Sequence, residues 1–247
     1  MVNQSGGNAH SVAEHALAML LTLSKRIIQA DRAMRREAGV NRNALMGSEV
    51  QGKTIGIVGL GNVGRRIAAL CRGLLGMNVL AYDPYLSATE MAERGGEKVT
   101  LEDLLRRSDY VSISCPLTRE SRGMIGGREF ALMQPHAYFI TTARGFIHDE
   151  AALIEALRGK RIAGAGLDVW SKEPPPPEHP LLQFDNVLAS PHTAGVTMEA
   201  RENMGRIAAE QMLDALDGKR PPRIINPEVR PIYAGRFERT FGFAPGR

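Results

Sequence analysis

The sequence predicts an α/β fold: a doubly wound parallel sheet with a long helix before it and a helix and tail after it. Three observations carry that expectation. From Thr54 onward, short β-rich runs alternate with helical patterns. The first run, residues 54–58, opens directly into a glycine-rich turn. The second, residues 78–82, closes on an acidic residue, Asp83.

The first element is a helix over 11–38. Ser11 and Glu14 have the spacing of a capping box, and Ala13, Leu17, Leu20, Ile27 and Met34 fall on one side, widened by Leu21 and Ile28. Gly39 is placed to end it. So long an apolar face needs a partner, either the following domain or a second subunit. Strands are expected over 54–58, 78–82, 110–114, 137–142, 163–168 and 187–190. Helices are expected over 62–75, 101–107, 149–158 and 197–217. Pro174 to Pro177 make a stiff break. After Gly218 the chain turns rich in proline, arginine and glycine, which reads as an extended tail with little core.

The turn after the first strand carries Gly59, Gly61 and Gly64 at the spacing G-x-G-x-x-G. The first permits the tight turn, the second lets a pyrophosphate approach the backbone, and the third lets the helix pack close to the strand. Asp83 stands nineteen residues beyond Gly64, where a carboxylate accepts hydrogen bonds from an adenosine ribose. Its charge repels a 2′-phosphate, so NAD is expected rather than NADP. The fold is therefore expected to be of the Rossmann type.

Composition excludes other classes. With 43% hydrophobic and 23% charged residues, the 247-residue chain has ample material for a core. A net charge of +4 is small, and the basic cluster at Lys25, Arg26, Arg32, Arg35 and Arg36 is interrupted by Asp31 and Glu37, so a solvated helix face is expected and no nucleic-acid partner. Cys71 and Cys115, the two cysteines, lie in apolar stretches and read as reduced thiols of a cytoplasmic protein. No apolar run is long enough to cross a bilayer. The six histidines show no metal-ligand spacing, and no phosphate-loop G-x-x-x-x-G-K-[ST] occurs.

In parallel sheets ligands sit beyond the carboxyl ends of the strands. Three successive strand ends deliver Arg144, the pair Asp168 and Glu173, and His192. Hydride chemistry on a 2-keto acid gives each a task. His192 donates the proton that the developing alkoxide needs, and Glu173 orients the ring and stabilises the imidazolium. Arg144 binds the carboxylate and polarises the carbonyl. Asp168 orients the nicotinamide carboxamide.

These segments resemble the D-isomer-specific 2-hydroxyacid dehydrogenase family over residues 1 to about 227. The matching stretches are 8–14, the Gly59–Gly64 loop with Asp83, 115–118, 142–145, 166–169 through Glu173-Pro174, and 190–195. The Tyr82-Asp83-Pro84-Tyr85 run and the proline-rich loop are similar to the phosphoglycerate dehydrogenase branch. The resemblance implies catalytic positions at Arg144, Glu173 and His192. It implies NAD contacts at or beside Gly59, Gly61, Asn62, Val63, Gly64, Asp83, Pro116, Thr118, Thr142, Ala143, Arg144, Asp168, His192 and Gly195. It also implies three segments. Residues 1–45 are a crossing segment and long dimerisation-type helix that form part of the nucleotide-binding domain, 46–196 the NAD-binding Rossmann domain, and 197–247 a helix and loose tail left from a substrate domain whose first half is expected to be missing. A homodimer through the N-terminal helix and a small 2-hydroxy or 2-keto acid substrate of the phosphoglycerate, hydroxypyruvate or glyoxylate type are the expected partners. The rival expectation is an NAD-binding fragment or an NAD-responsive interaction module without catalysis.

Overall fold

A computed structural model of the chain describes residues 1–36 and 38–246. It resolves two compact units, residues 11–194 and residues 1–10 with 195–247.

The larger unit is built on seven parallel strands: β1 (Thr54–Val58), β2 (Asn78–Tyr82), β3 (Glu97–Lys98), β4 (Tyr110–Ile113), β5 (Tyr138–Thr141), β6 (Gly164–Leu167) and β7 (Val187–Ala189). Their order is β3-β2-β1-β4-β5-β6-β7, so the direction of winding reverses between β1 and β4. Side-chain alternation divides the core into two layers. Ile55 and Ile57 face α1 (Ala9–Ser24) and α3 (Gly64–Gly73), packing with Met19, Leu20, Ile67 and Cys71. Val58, Val111, Ile113 and Phe139 face the other side, against Leu104 and Leu105 of α5 (Leu101–Arg107), Phe130 of α6 (Gly127–Leu132) and Leu153 of α7 (Glu150–Arg158). The crossing helices between strands thus lie on both faces.

The six expected strands are all present, each within a residue or so of its expected bounds. The short β3, α4 (Ala88–Glu93) and α6 were not expected. A Ser87–Glu90 capping box starts α4, a signal that was legible in the sequence.

The single helix over 11–38 is not what forms. The chain makes α1 and α2 (Ile27–Arg36), with Arg26 between them at φ 54°. Two interactions end α1. The Ser24 hydroxyl donates to the Leu20 carbonyl at 2.6 Å and lies 2.9 Å from the Tyr110 hydroxyl. The returning chain then takes the helix end, with Ser48 N–H donating to the Ser24 carbonyl at 2.8 Å. The helix also begins at Ala9, which puts Ser11 inside its first turn instead of at the cap. The buried stripe stops at Leu23. Ile27 and Met34 on α2 are 50% and 72% exposed. Glu37, within the expected helix, lies outside the described residues.

In the smaller unit, Thr197 caps α8 (Met198–Leu216) by accepting the Ala200 N–H. The segment expected as a loose tail contains a helix, α9 (Arg230–Phe241), with Pro231 in its first turn. Phe237 anchors it, 4% exposed, with ring centroids of Tyr233, Phe241 and Phe243 at 5.7, 4.6 and 5.3 Å. Three aromatic rings on this short helix and Phe243 just beyond its end make the cluster that its proline and arginine content conceals.

Candidate functional site

Beyond the carboxyl ends of β1 and β2, the three glycines divide the work. Gly59 has φ +92°, and a Cβ there would lie 2.6 Å from the Cys115 backbone nitrogen, so the turn passes close to the next strand end. A Cβ on Gly64 would lie 2.1 Å from the Gly59 carbonyl oxygen, which is the tight helix-to-strand approach expected of the third glycine. A Cβ on Gly61 would meet no atom within 4 Å. The second glycine therefore borders open space, the space a pyrophosphate needs. The residue before α3, Val63, makes no side-chain cap to the helix. Asn62 is exposed, and its side-chain oxygen accepts from Arg65 at 3.2 Å.

Asp83 is half-buried at the end of β2. One carboxylate oxygen accepts Leu60 N–H at 3.0 Å and the other accepts Tyr85 N–H at 3.1 Å. The carboxylate thereby ties the glycine-rich turn to the β2 end and sits on the wall of a cleft shared with Gly59, Tyr82, Cys115, Pro116 and Thr118. Ser121, also on the cleft, braces its lining: its hydroxyl donates to the Pro116 carbonyl at 2.7 Å and accepts Thr118 N–H at 2.8 Å. Burial pushes the Cys115 thiol up to about 11, so it lines the cleft as a neutral apolar group. A glycine turn with open backbone, a carboxylate beside it and an apolar cleft fit the phosphates, ribose and base of a dinucleotide.

At the other strand ends, β5 leads through the buried Thr142 and half-buried Ala143 to the exposed Arg144, whose guanidinium donates to the Ala143 carbonyl at 2.6 Å. Gly145 lets this segment press against its neighbour, since a Cβ there would lie 2.1 Å from the Trp170 carbonyl. Asp168 follows β6 with no exposed surface. Its carboxylate accepts Ser190 Oγ–H (2.6 Å), Thr193 N–H (2.8 Å) and Ala194 N–H (2.9 Å), and its backbone carbonyl accepts His192 N–H (2.7 Å). It is the peg around which the 190–194 loop is wound. His15 Nε2 completes the cluster, 2.9 Å from Ser190 Oγ.

That loop presents His192, at φ 57°, to Glu173. Nδ1 of the ring lies 2.7 Å from Glu173 Oε2, and Glu173 Oε1 accepts Trp170 N–H at 3.1 Å. The Trp170 indole N–H donates to the Ser190 carbonyl at 3.0 Å, so the two loops are sewn together. Burial works against ionising Glu173, yet the hydrogen bonds from His192 and Trp170 and the charges of His192 and Arg144 hold its carboxyl below the usual range. The contact to Glu173 is made through Nδ1, and the His192 side chain is 40% exposed.

The structure thus gathers Arg144, Glu173, Asp168 and His192 at consecutive ends of β5, β6 and β7. Gly59, Gly61, Asn62, Val63, Gly64, Asp83, Pro116 and Thr118 lie at or after the ends of β1, β2 and β4. Gly195 belongs to the smaller unit, where a Cβ would lie 2.5 Å from Asn8 Nδ2. Trp170, Ser190 and Ser121 are supporting residues that sequence reasoning passed over. Only their position beside the candidate residues could have marked them.

The family model described as "D-isomer specific 2-hydroxyacid dehydrogenase, NAD binding domain" matches residues 17–194. The chain is 43% identical over 232 residues to a D-3-phosphoglycerate dehydrogenase of Archaeoglobus fulgidus, covering 94% of this chain and 44% of that one. It is 38% identical to a glyoxylate reductase of Korarchaeum cryptofilum, covering 96% and 72%. It superposes with a TM-score of 0.79 and 30% identity on the D-lactate dehydrogenase of Lactobacillus jensenii solved with NAD+, covering 88% of this chain and 68% of that one. The chain therefore spans less than half of the archaeal phosphoglycerate enzyme and about 70% of the shorter relatives. With the glycine turn, the acidic strand end and the strand-end cluster in place, the chain belongs to the D-isomer-specific 2-hydroxyacid dehydrogenases, and residues 17–194 are their NAD-binding domain.

Proposed function

We propose that the chain supplies the cofactor-binding and proton-transferring part of an NAD-dependent oxidoreductase that interconverts a D-2-hydroxy acid and its 2-keto acid, of the phosphoglycerate, hydroxypyruvate or glyoxylate type. The observation that carries the reading is the 2.7 Å contact between His192 Nδ1 and Glu173 Oε2 at the strand ends. NADH, when bound, would supply the hydride. The chain's own residues do the rest.

His192 holds a proton on Nε2 and releases it to the carbonyl oxygen as negative charge develops there. Glu173 keeps the ring from turning and balances the charge of the protonated ring. Arg144 forks its guanidinium onto the substrate carboxylate and draws electron density from the adjacent carbonyl. Asp168, enclosed by the 190–194 loop, keeps that loop in place beside where the nicotinamide end would lie. Asp83 would receive the ribose hydroxyls, Gly61 and the open end of α3 would receive the phosphates, and Pro116, Thr118, Thr142 and Ala143 would complete the cofactor's surroundings within the larger unit.

On this reading residues 46–196 are the body of the cofactor domain, to which the N-terminal helical segment also belongs, and 197–247 belong to the substrate side. Residues 1–45 serve a homodimer contact, supported by the exposed Ile27 and Met34 on α2. The two free cysteines support a cytoplasmic setting. No helix among the described residues is long and apolar enough to cross a membrane.

The test is NADH oxidation by the 247-residue chain over a panel of 2-keto acids, with His192→Ala beside it. Turnover that falls by about 10²-fold or more in the variant, with NADH affinity unchanged, is expected. Tight NADH binding with no turnover by the wild type would instead favour a cofactor-binding module. Sedimentation velocity tests the dimer.

A further inference from the structure

Arg144 and Glu173 come from different loops, and something must fix one loop against the other. We infer that Glu150 and His179 are positioning residues, clamping the loop that bears Glu173 to the segment that bears Arg144 and thereby setting the contact between Glu173 and His192. The inference rests on the proposed role of those residues.

Glu150 is the first residue of α7 and continues the segment that starts at Arg144. Its side chain is only 16% exposed. Oε1 accepts Ser171 N–H at 2.7 Å, two residues before Glu173, and Oε2 lies 3.4 Å from His179 Nε2. His179 Nδ1 accepts Leu181 N–H at 3.3 Å. An accepting Nδ1 carries no proton, so the proton of the neutral ring is on Nε2 and faces Glu150. The same ring stands edge-on to Trp170, with centroids 5.6 Å apart and planes at 75°. Trp170 N–H in turn binds Glu173. The loop is therefore held near both of its ends, at Ser171 and at His179, by one carboxylate from the Arg144 segment. The close approach of Gly145 to the Trp170 carbonyl makes a third point of contact between the same two segments.

An acidic residue in the first turn of a helix has an ordinary role, offsetting the helix dipole. The two roles separate on substitution. Glu150→Ala and Glu150→Gln both remove the charge, but glutamine keeps an oxygen for Ser171 N–H. The chain's one tryptophan is Trp170, so its indole N–H gives a single, assignable proton signal next to the clamp.

The experiment measures three quantities in the full chain and in each variant: hydrogen exchange of the Trp170 indole N–H, NADH affinity, and kcat on a 2-keto acid. For Glu150→Ala, indole exchange is expected to rise about tenfold. kcat should fall by about tenfold to a hundredfold while NADH affinity stays within about twofold. Glu150→Gln should restore most of both. Unchanged exchange and kcat in Glu150→Ala overturn the clamp, and so does equal impairment of the two variants, which is the mark of a dipole effect. Should Glu150→Ala not fold, His179→Ala removes the second contact and is expected to raise indole exchange in the same direction; no rise overturns the inference. Should the wild type bind NADH but turn nothing over, the proposed function fails, and indole exchange still decides the clamp.

Discussion

His192 and Glu173 meet at 2.7 Å across loops that follow two different strands, and the backbone of His192 is held at φ 57° to make that meeting. A left-handed conformation at a non-glycine residue costs about 1 kcal/mol or more. The hydrogen bonds that Asp168 accepts from the 190–194 loop offset it. The Glu173 carboxyl is held below its ordinary range by His192 and the Trp170 N–H, against the cost of burial. The stabilisation is complete above the usual carboxyl range and is lost only as pH falls through the lowered value. Glu173→Gln is thus expected to keep the Trp170 contact and lose the charge. It should lower kcat by about 10²-fold with little change in NADH affinity, measured by steady-state kinetics at neutral pH. Unaltered kcat would remove Glu173 from the mechanism.

Asp83 has two duties, and substitution separates them. Both carboxylate oxygens already anchor backbone N–H groups, of Leu60 and Tyr85. Asp83→Asn keeps one such acceptor and discards the charge that repels a 2′-phosphate. The NADH over NADPH preference should then shrink by about tenfold or more, roughly the value of one charged interaction. Asp83→Ala should do the same and weaken both cofactors, because the glycine turn loses its tether. Fluorescence titration with both cofactors checks this, and an unchanged preference contradicts the ribose assignment.

Gly61 and Gly64 make a matched pair. At Gly64 a Cβ would sit 2.1 Å from the Gly59 carbonyl oxygen and 3.2 Å from Ile57 Cγ2, in backbone that cannot yield cheaply. Gly64→Ala is expected to destabilise the fold by about 1–3 kcal/mol, the range of core overpacking. At Gly61 a Cβ meets nothing, so Gly61→Ala should leave the denaturation midpoint nearly unchanged while NADH binding is lost. Urea denaturation and NADH titration of both variants separate the roles; an alanine at 61 that binds NADH normally would mean the phosphates lie elsewhere.

The fold was legible because the strands of a parallel sheet are buried on both faces and read as apolar runs, and because the glycine spacing has few alternative explanations. Arg144, Glu173 and His192 were legible for a related reason: strand ends are where such sheets put chemistry. What the sequence concealed came from tertiary contacts. Nothing local to Ser24 announces that Tyr110 and Ser48 will end the helix there. The heptad-like spacing of Ile27 and Met34 continues the apolar pattern of α1, although the chain has already turned at Arg26. Phe237, Phe241 and Phe243 lie among arginines and prolines, so the hydropathy of the tail masks an aromatic cluster. The supporting shell of Trp170, Ser190 and Glu150 was hidden too, because its members act through one another at distances the sequence does not encode.

His148 provides the last test, and it concerns stability rather than turnover. The side chain is 3% exposed, stands 5.4 Å from the Phe139 ring, and neither ring nitrogen has a hydrogen-bond partner among the described residues. Burial lowers its pKa to about 4, against the opposing charges of Glu150 and Asp149. A buried base with a lowered pKa stabilises the fold fully above its unfolded value near 6.5, and that stability is lost as pH falls toward 4. The drop from 6.5 to about 4 corresponds to about 3 kcal/mol at the acid end of the window. His148→Leu removes the titration and leaves an apolar side chain against Phe139. Unfolding free energies measured by urea at intervals from pH 7.5 to 4 should fall more steeply for the wild type than for the variant between about 6.5 and 4. Carboxylates shared by the two proteins, Glu173 among them, cancel in the difference. Parallel curves across that window would show that His148 takes up its proton without leaving the core.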